Sequence, residues 1–105
     1  MKVIWSEQAG LALRDTTKYI NKEFGEKAKL DLMLEVRQFV HLLAENPLMG
    51  IEEPLLIGSR IEYRRYVINR LNKAVYYINS ATDTIEIVAF WDTRREPKAQ
   101  ARHLR

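Results

Sequence analysis

Apolar residues recur at spacings of three and four through the first half of the chain and at alternate positions through the second. The pattern therefore predicts a helical front and a stranded back. Lys2 to Trp5 is a short apolar run closed by Ser6, a good helix N-cap, with Glu7 suited to the positive end of a helix dipole. The helix that follows places Ala9, Leu13, Thr17, Ile20 and Phe24 on one stripe and stops at Gly25. A second helix, Glu26 to Ala44, carries Leu32, Val36, Phe39 and Leu43, widened by Met33 and Val40, with Met33 and Phe39 expected in the core. Asn46-Pro47 ends it, because a residue before proline avoids the helical region. With so short a link at Gly25, the two helices should form an antiparallel hairpin.

Leu48 to Ser59 has no clean period and contains Gly50, Pro54 and Gly58, so it reads as a linking segment with Leu55, Leu56 and Ile57 to bury. Strands follow at 60–68, at Lys73 to Ile78 and from Thr84, with turns at Asn69 to Asn72 and Ser80 to Asp83. In the last strand Ile85, Ile87 and Ala89 alternate with Glu86, Val88 and Phe90, and Asp92-Thr93 turns the chain toward Arg94, Arg95 and Pro97. Arg65 and Tyr66 interrupt the alternation of 60–68, which calls for a bulge there or for two partly covered faces. The tail from Lys98 is either a helical turn or a mobile basic end. The expected order is β-α-α-β-β-β: an α+β fold with a helical hairpin on a small, mainly antiparallel sheet of four strands.

The chain has 105 residues, enough for one domain, 1–105, with one core. It contains no cysteine, which removes disulfides, thiolate metal sites and cysteine nucleophiles. No apolar run approaches the roughly 20 residues of a membrane span, and polar SEQ follows MKVIW at once, so the cytoplasm is the expected compartment. The net charge of +3 is uneven: −2 over 1–59, +4 over 60–76, −3 over 77–93 and +4 over 94–105. If the sheet brings the two positive blocks together, they form one basic surface suited to phosphates or to an acidic protein.

Walker, GxSxG and HExxH patterns are all absent, which removes the usual nucleotide, esterase and zinc-protease readings. His41 has no second ligand nearby and reads as structural or surface; no metal and no cofactor is expected. Tyr63, Tyr66, Tyr76 and Tyr77 interleave with Arg64, Arg65, Arg70 and Lys73. That mixture serves either to stack bases over held phosphates or to pair side chains across strands, and packing is expected for at least half of the tyrosines. Trp5 and Trp91 are expected to pack or to cover a sheet edge.

The stretches Tyr63-Arg64-Arg65-Tyr66-Val67, Asn72-Lys73-Ala74-Val75-Tyr76-Tyr77 and Ile85 to Phe90 followed by Trp91-Asp92-Thr93-Arg94-Arg95-Glu96-Pro97 resemble the RelE/ParE superfamily of type II toxins. The likeness covers nearly the whole chain. It implies a toxin held inactive by a cognate antitoxin, of the plasmid-stabilisation type. Members on the RelE side cut ribosome-bound mRNA without metal, using strand cations and a late tyrosine, whereas members on the ParE side poison DNA gyrase and lack that set. Here Arg64 and Lys73 match the basic strand positions, and one of Arg94 or Arg95 matches the arginine after the last strand. Tyr66 stands where a second basic strand residue is expected, and no tyrosine follows Tyr77. His103 is the one titratable substitute of similar reach.

The resemblance thus favours a ParE-like toxin directed at gyrase, with Arg64, Arg65, Tyr66, Lys73, Trp91, Arg94 and Arg95 binding target or antitoxin. The alternatives are a RelE-like endoribonuclease using Arg64, Lys73, Arg94, Arg95 and His103, with Glu62 and Glu96 as available carboxylates, and an inactive member that binds only antitoxin and operator DNA.

Overall fold

Local signals at the helix ends decide the first half of the fold. In the computed structural model, which describes residues 1–93, strand β1 (Lys2–Trp5) leads into helix α1 (Glu7–Phe24). Ser6 caps that helix as expected, its hydroxyl accepting from the Ala9 N–H at 3.0 Å. Gly25 separates α1 from α2 (Glu26–Glu45) at φ 95°, a left-handed value that suits a residue without Cβ. Asn46 then ends α2 ahead of Pro47. Leu32, Val36, Phe39 and Leu43 are buried, and Ala9, with Leu13 and Ile20 partly buried, meets them across the hairpin. Two residues of the predicted stripes are not in the core. Phe24, the last residue of α1, is 67% exposed and meets Tyr19 edge-on, and Met33 is 50% exposed outside the buried stripe of α2.

The sheet has five strands rather than four, in the order β1-β5-β4-β3-β2. The additional strand, β2 (Ile51–Glu52), lies in the linking segment and pairs antiparallel with Arg64 and Arg65. A 3-10 turn, Pro54–Leu56, follows it. Strand β3 (Arg64–Ile68) begins four residues later than the sequence pattern suggests, because 60–63 wrap back to the linker, where the Glu53 N–H donates to the Tyr63 carbonyl at 2.9 Å. β4 (Asn72–Asn79) and β5 (Thr84–Asp92) complete the antiparallel meander, while β1 runs parallel to β5.

The anticipated irregularity at Arg65/Tyr66 is absent: β3 and β4 keep one register from Arg64↔Tyr76 to Ile68↔Asn72, so both faces of β3 are partly covered. The bulge lies instead between β4 and β5, where Val75 pairs with Ala89 and Tyr76 with Ile87, leaving Val88 as the extra residue. This changes which side chains share a face. Ile85, Ile87 and Phe90 join Ala74, Tyr76 and Ile68 beneath the helices, whereas Ala89 and Trp91 pack with Val75, Tyr63 and Leu56 on the opposite face. The sheet therefore carries two cores, a large one under the hairpin and a small one under the linking segment. Trp5 packs on Phe90 with ring centroids 6.3 Å apart. Among the described residues no helix is long and apolar enough to cross a membrane.

Candidate functional site

Neighbouring residues on a strand point to opposite faces, so Arg64 and Arg65 cannot act together. Arg64 sits opposite Tyr76 on the helical side. Its Nη1 donates to the Gly50 carbonyl at 2.8 Å and its Nη2 to Glu62 Oε1 at 2.9 Å. Arg65 shares the other face with Lys73, since it pairs with Val75 two positions along β4. Arg64 and Lys73, which the family resemblance puts in one cationic set, are thereby separated by the thickness of the sheet.

Arg65 and Lys73 instead converge on Glu53, whose carboxylate is wholly buried. The Lys73 ammonium donates to Oε1 at 2.8 Å and lies 5.1 Å from the centre of the Trp91 ring, a cation held between a carboxylate and a π face. The Leu55 N–H also donates to Oε1, at 3.2 Å, which closes the first turn of the segment after Pro54. Arg65 Nε stands 3.8 Å from Oε2, and neither of those two atoms has a hydrogen-bond partner. Glu53 was not among the residues singled out from the sequence. Its signal there is slight, an acid directly before Pro-Leu-Leu-Ile, the most apolar part of the linker.

Tyr66 stacks on Phe39 at 5.2 Å with the rings inclined by 22°, so it extends the helical core outward. Tyr63 is buried and meets Tyr77 edge-on at 6.0 Å. Tyr76 is buried beneath the hairpin, its hydroxyl accepting from the Gly50 N–H at 2.9 Å and donating to the Pro47 carbonyl at 2.8 Å. Burial pushes its hydroxyl pKa above the usual tyrosine value, against the lowering influence of Gly50 and Arg64. Burial, with the Glu86 carboxylate alongside, does the same to Tyr77. Packing and buried hydrogen bonds therefore engage all four tyrosines, but with partners on α2 and in the linking segment as well as across strands. Arg94, Arg95, Glu96 and His103 lie outside the described residues.

A second feature adjoins Tyr66. Leu42, Asn46, Pro47, Leu48, Met49 and Tyr66 line an open groove of about 620 Å³ between the end of α2 and β3. Leu48 is 65% exposed and Leu42 48% exposed, so its walls are apolar and accessible. Because β2 covers only Arg64 and Arg65, the outer edge of β3 from Tyr66 to Ile68 has no strand beside it among the described residues. Open backbone edge and apolar groove thus lie together.

The model of the ParE toxin of the type II toxin-antitoxin system parDE matches residues 3–97. This chain belongs to the ParE toxin family. Solved structures with the same fold include the chromosomal ParDE toxin-antitoxin system from P. aeruginosa, at a TM-score of 0.69 and 16% identity over 88% of this chain and 95% of that one. The YoeB/ParE toxin from Agrobacterium tumefaciens aligns at a TM-score of 0.59, also with 16% identity, over 88% of this chain and 98% of its own. No curated protein matches the sequence. For a ParE-family toxin, the pairing of Lys73 and Arg65 with one internal carboxylate is the most pronounced electrostatic feature of the described sheet.

Proposed function

We propose that this ParE-family toxin acts by binding a protein target, DNA gyrase, and not by cutting RNA, and that a cognate antitoxin neutralises it. The observation that carries this reading is the separation of Arg64 from Lys73. Metal-independent cleavage needs cations gathered over one phosphorane, with a base and an acid in reach. Here the strand cations sit on opposite faces, each within reach of a carboxylate: Arg64 of Glu62, and Arg65 and Lys73 of Glu53. A protein surface can be recognised without such convergence.

Neutralisation is supported by the groove and the free edge of β3. An extended antitoxin segment could hydrogen-bond along Tyr66–Ile68 and drop an apolar anchor between Leu42, Leu48 and Tyr66. Its acidic groups would pair with Arg94 and Arg95, which follow the last strand in the sequence. The working compartment on this reading is the cytoplasm, and the gene pair stabilises the replicon that carries it.

The test is a supercoiling assay run beside translation of a defined message in vitro. Inhibited gyrase with intact message is expected, and cut message with active gyrase would overturn the reading. Titration with the product of the adjacent gene should give a complex, and a variant with Leu48→Asp should weaken it at least tenfold.

A further inference from the structure

We infer that Glu53 is a built-in counter-ion that keeps the cations on the linker side of the sheet from holding nucleic-acid phosphate, so that this face is withheld from RNA. The inference deepens the target reading above, because it names the residue that steers the toxin away from a nucleic-acid substrate.

A phosphate approaching this face needs the N–H groups that Lys73 and Arg65 present. Lys73 already spends a donor on Glu53 Oε1 at 2.8 Å, its side chain is only 12% exposed, and Trp91 covers it from the other side. Arg65, 26% exposed, is drawn toward the same carboxylate at 3.8 Å. Glu53 itself is immobile. Its backbone N–H is bonded to Tyr63, its carboxylate accepts from Leu55, and Pro54 fixes the chain direction after it. An incoming phosphate would have to compete from solvent with a wholly buried anion already in contact, where Coulomb attraction is less screened. Within this cluster, two cations and one internal anion leave a single net positive charge where there would otherwise be two.

The test is binding of a fluorescein-labelled single-stranded RNA oligomer by anisotropy, at several salt concentrations, to the full chain and to Glu53→Gln. Near-UV circular dichroism confirms that the variant is folded. Glu53→Gln keeps the shape and the Leu55 contact but removes the charge. Its affinity should rise about tenfold at low salt, with the salt dependence steeper by about one logarithmic unit per decade, as expected for one to two additional phosphate contacts. Adding Lys73→Met to that variant should reverse most of the gain. A folded Glu53→Gln with unchanged affinity and slope would overturn the inference.

Should Glu53→Gln fail to fold, the unaltered protein still decides the matter through acetylation of its lysines, followed by mass spectrometry. Lys73 should react at least tenfold more slowly than Lys27, whose side chain is 89% exposed, and RNA should not slow it further. Protection of Lys73 by RNA in the unaltered protein would refute the inference. Neither readout involves gyrase, so failure of the gyrase assay would leave this result standing, and the reverse also holds.

Discussion

Replacing Tyr76 by phenylalanine removes one oxygen atom and two hydrogen bonds. The hydroxyl accepts from Gly50 at 2.9 Å and donates to Pro47 at 2.8 Å, so it ties the segment after α2 to the middle of the sheet. The approach is so close that Gly50 cannot carry a side chain: it is buried, and a Cβ there would meet the Arg65 carbonyl oxygen at 2.6 Å and the Tyr76 hydroxyl at 2.7 Å. Leaving the buried Gly50 N–H without an acceptor costs about 1–3 kcal/mol. The Pro47 carbonyl is half-buried and recovers part of its bond from water, which adds about 0.5–1 kcal/mol. The expected loss is therefore about 1.5–4 kcal/mol, centred near 2.5–3, a large share of the roughly 5–15 kcal/mol that stabilises a domain of this size.

Urea unfolding followed by circular dichroism should show a lower midpoint at an unchanged slope, and Tm should fall by about 10–20 °C. Tyr66→Phe is the control, because that ring is 36% exposed and held by stacking on Phe39. A loss under about 0.5 kcal/mol in Tyr76→Phe would refute the assignment of the hydroxyl as the anchor of this junction. Since Pro47, Leu48 and Met49 form one wall of the groove, the same variant should also bind the antitoxin less tightly.

Three further outcomes follow from the geometry. Lys73→Met leaves the buried Glu53 carboxylate with the Leu55 N–H and, at 3.8 Å, the Arg65 guanidinium, and should cost about 3 kcal/mol in urea unfolding; a neutral result would contradict the pairing. Ser6→Ala removes the cap on Ala9 and should cost about 1 kcal/mol, whereas Ser6→Asp should retain most of it. Tyr76 has its folded pKa raised by burial, so its contribution is complete below the unfolded value of about 10 and is lost as pH rises through the folded one. Urea midpoints measured across that alkaline window should fall more steeply for the unaltered protein than for Tyr76→Phe, and parallel curves would contradict this.

What could be read in the sequence was what nearby residues decide. Ser6, Gly25 and Asn46-Pro47 each set a helix boundary through atoms within a few positions, and all three boundaries stand where the chain suggests them. β2 was illegible because two residues, Ile51 and Glu52, have no period, and their strand character comes from partners at 64 and 65. The extra residue at Val88 had the same effect in β5: apolar residues fill both faces there, so alternation alone assigned Ala89 to the side it does not occupy. For the site, the identity of the cations was visible but their parity was not. Whether Arg64 or Arg65 accompanies Lys73 depends on register, and a one-residue shift exchanges them. Glu53 went unremarked because its partners Arg65 and Lys73 arrive from β3 and β4, more than ten positions further along the chain.

The parallel pairing of β1 with β5 has a consequence for synthesis. The partner of Val3 is Ile85, and the Ser6 hydroxyl reaches the Val88 carbonyl, 82 residues further on. At about 5–20 residues per second on the ribosome, the opening strand waits several seconds for its mate. A product broken off before that point lacks β5, the partner of both β1 and β4, and so cannot close the sheet. The fold is therefore completed only once β5 has been made and can reach back to the opening strand.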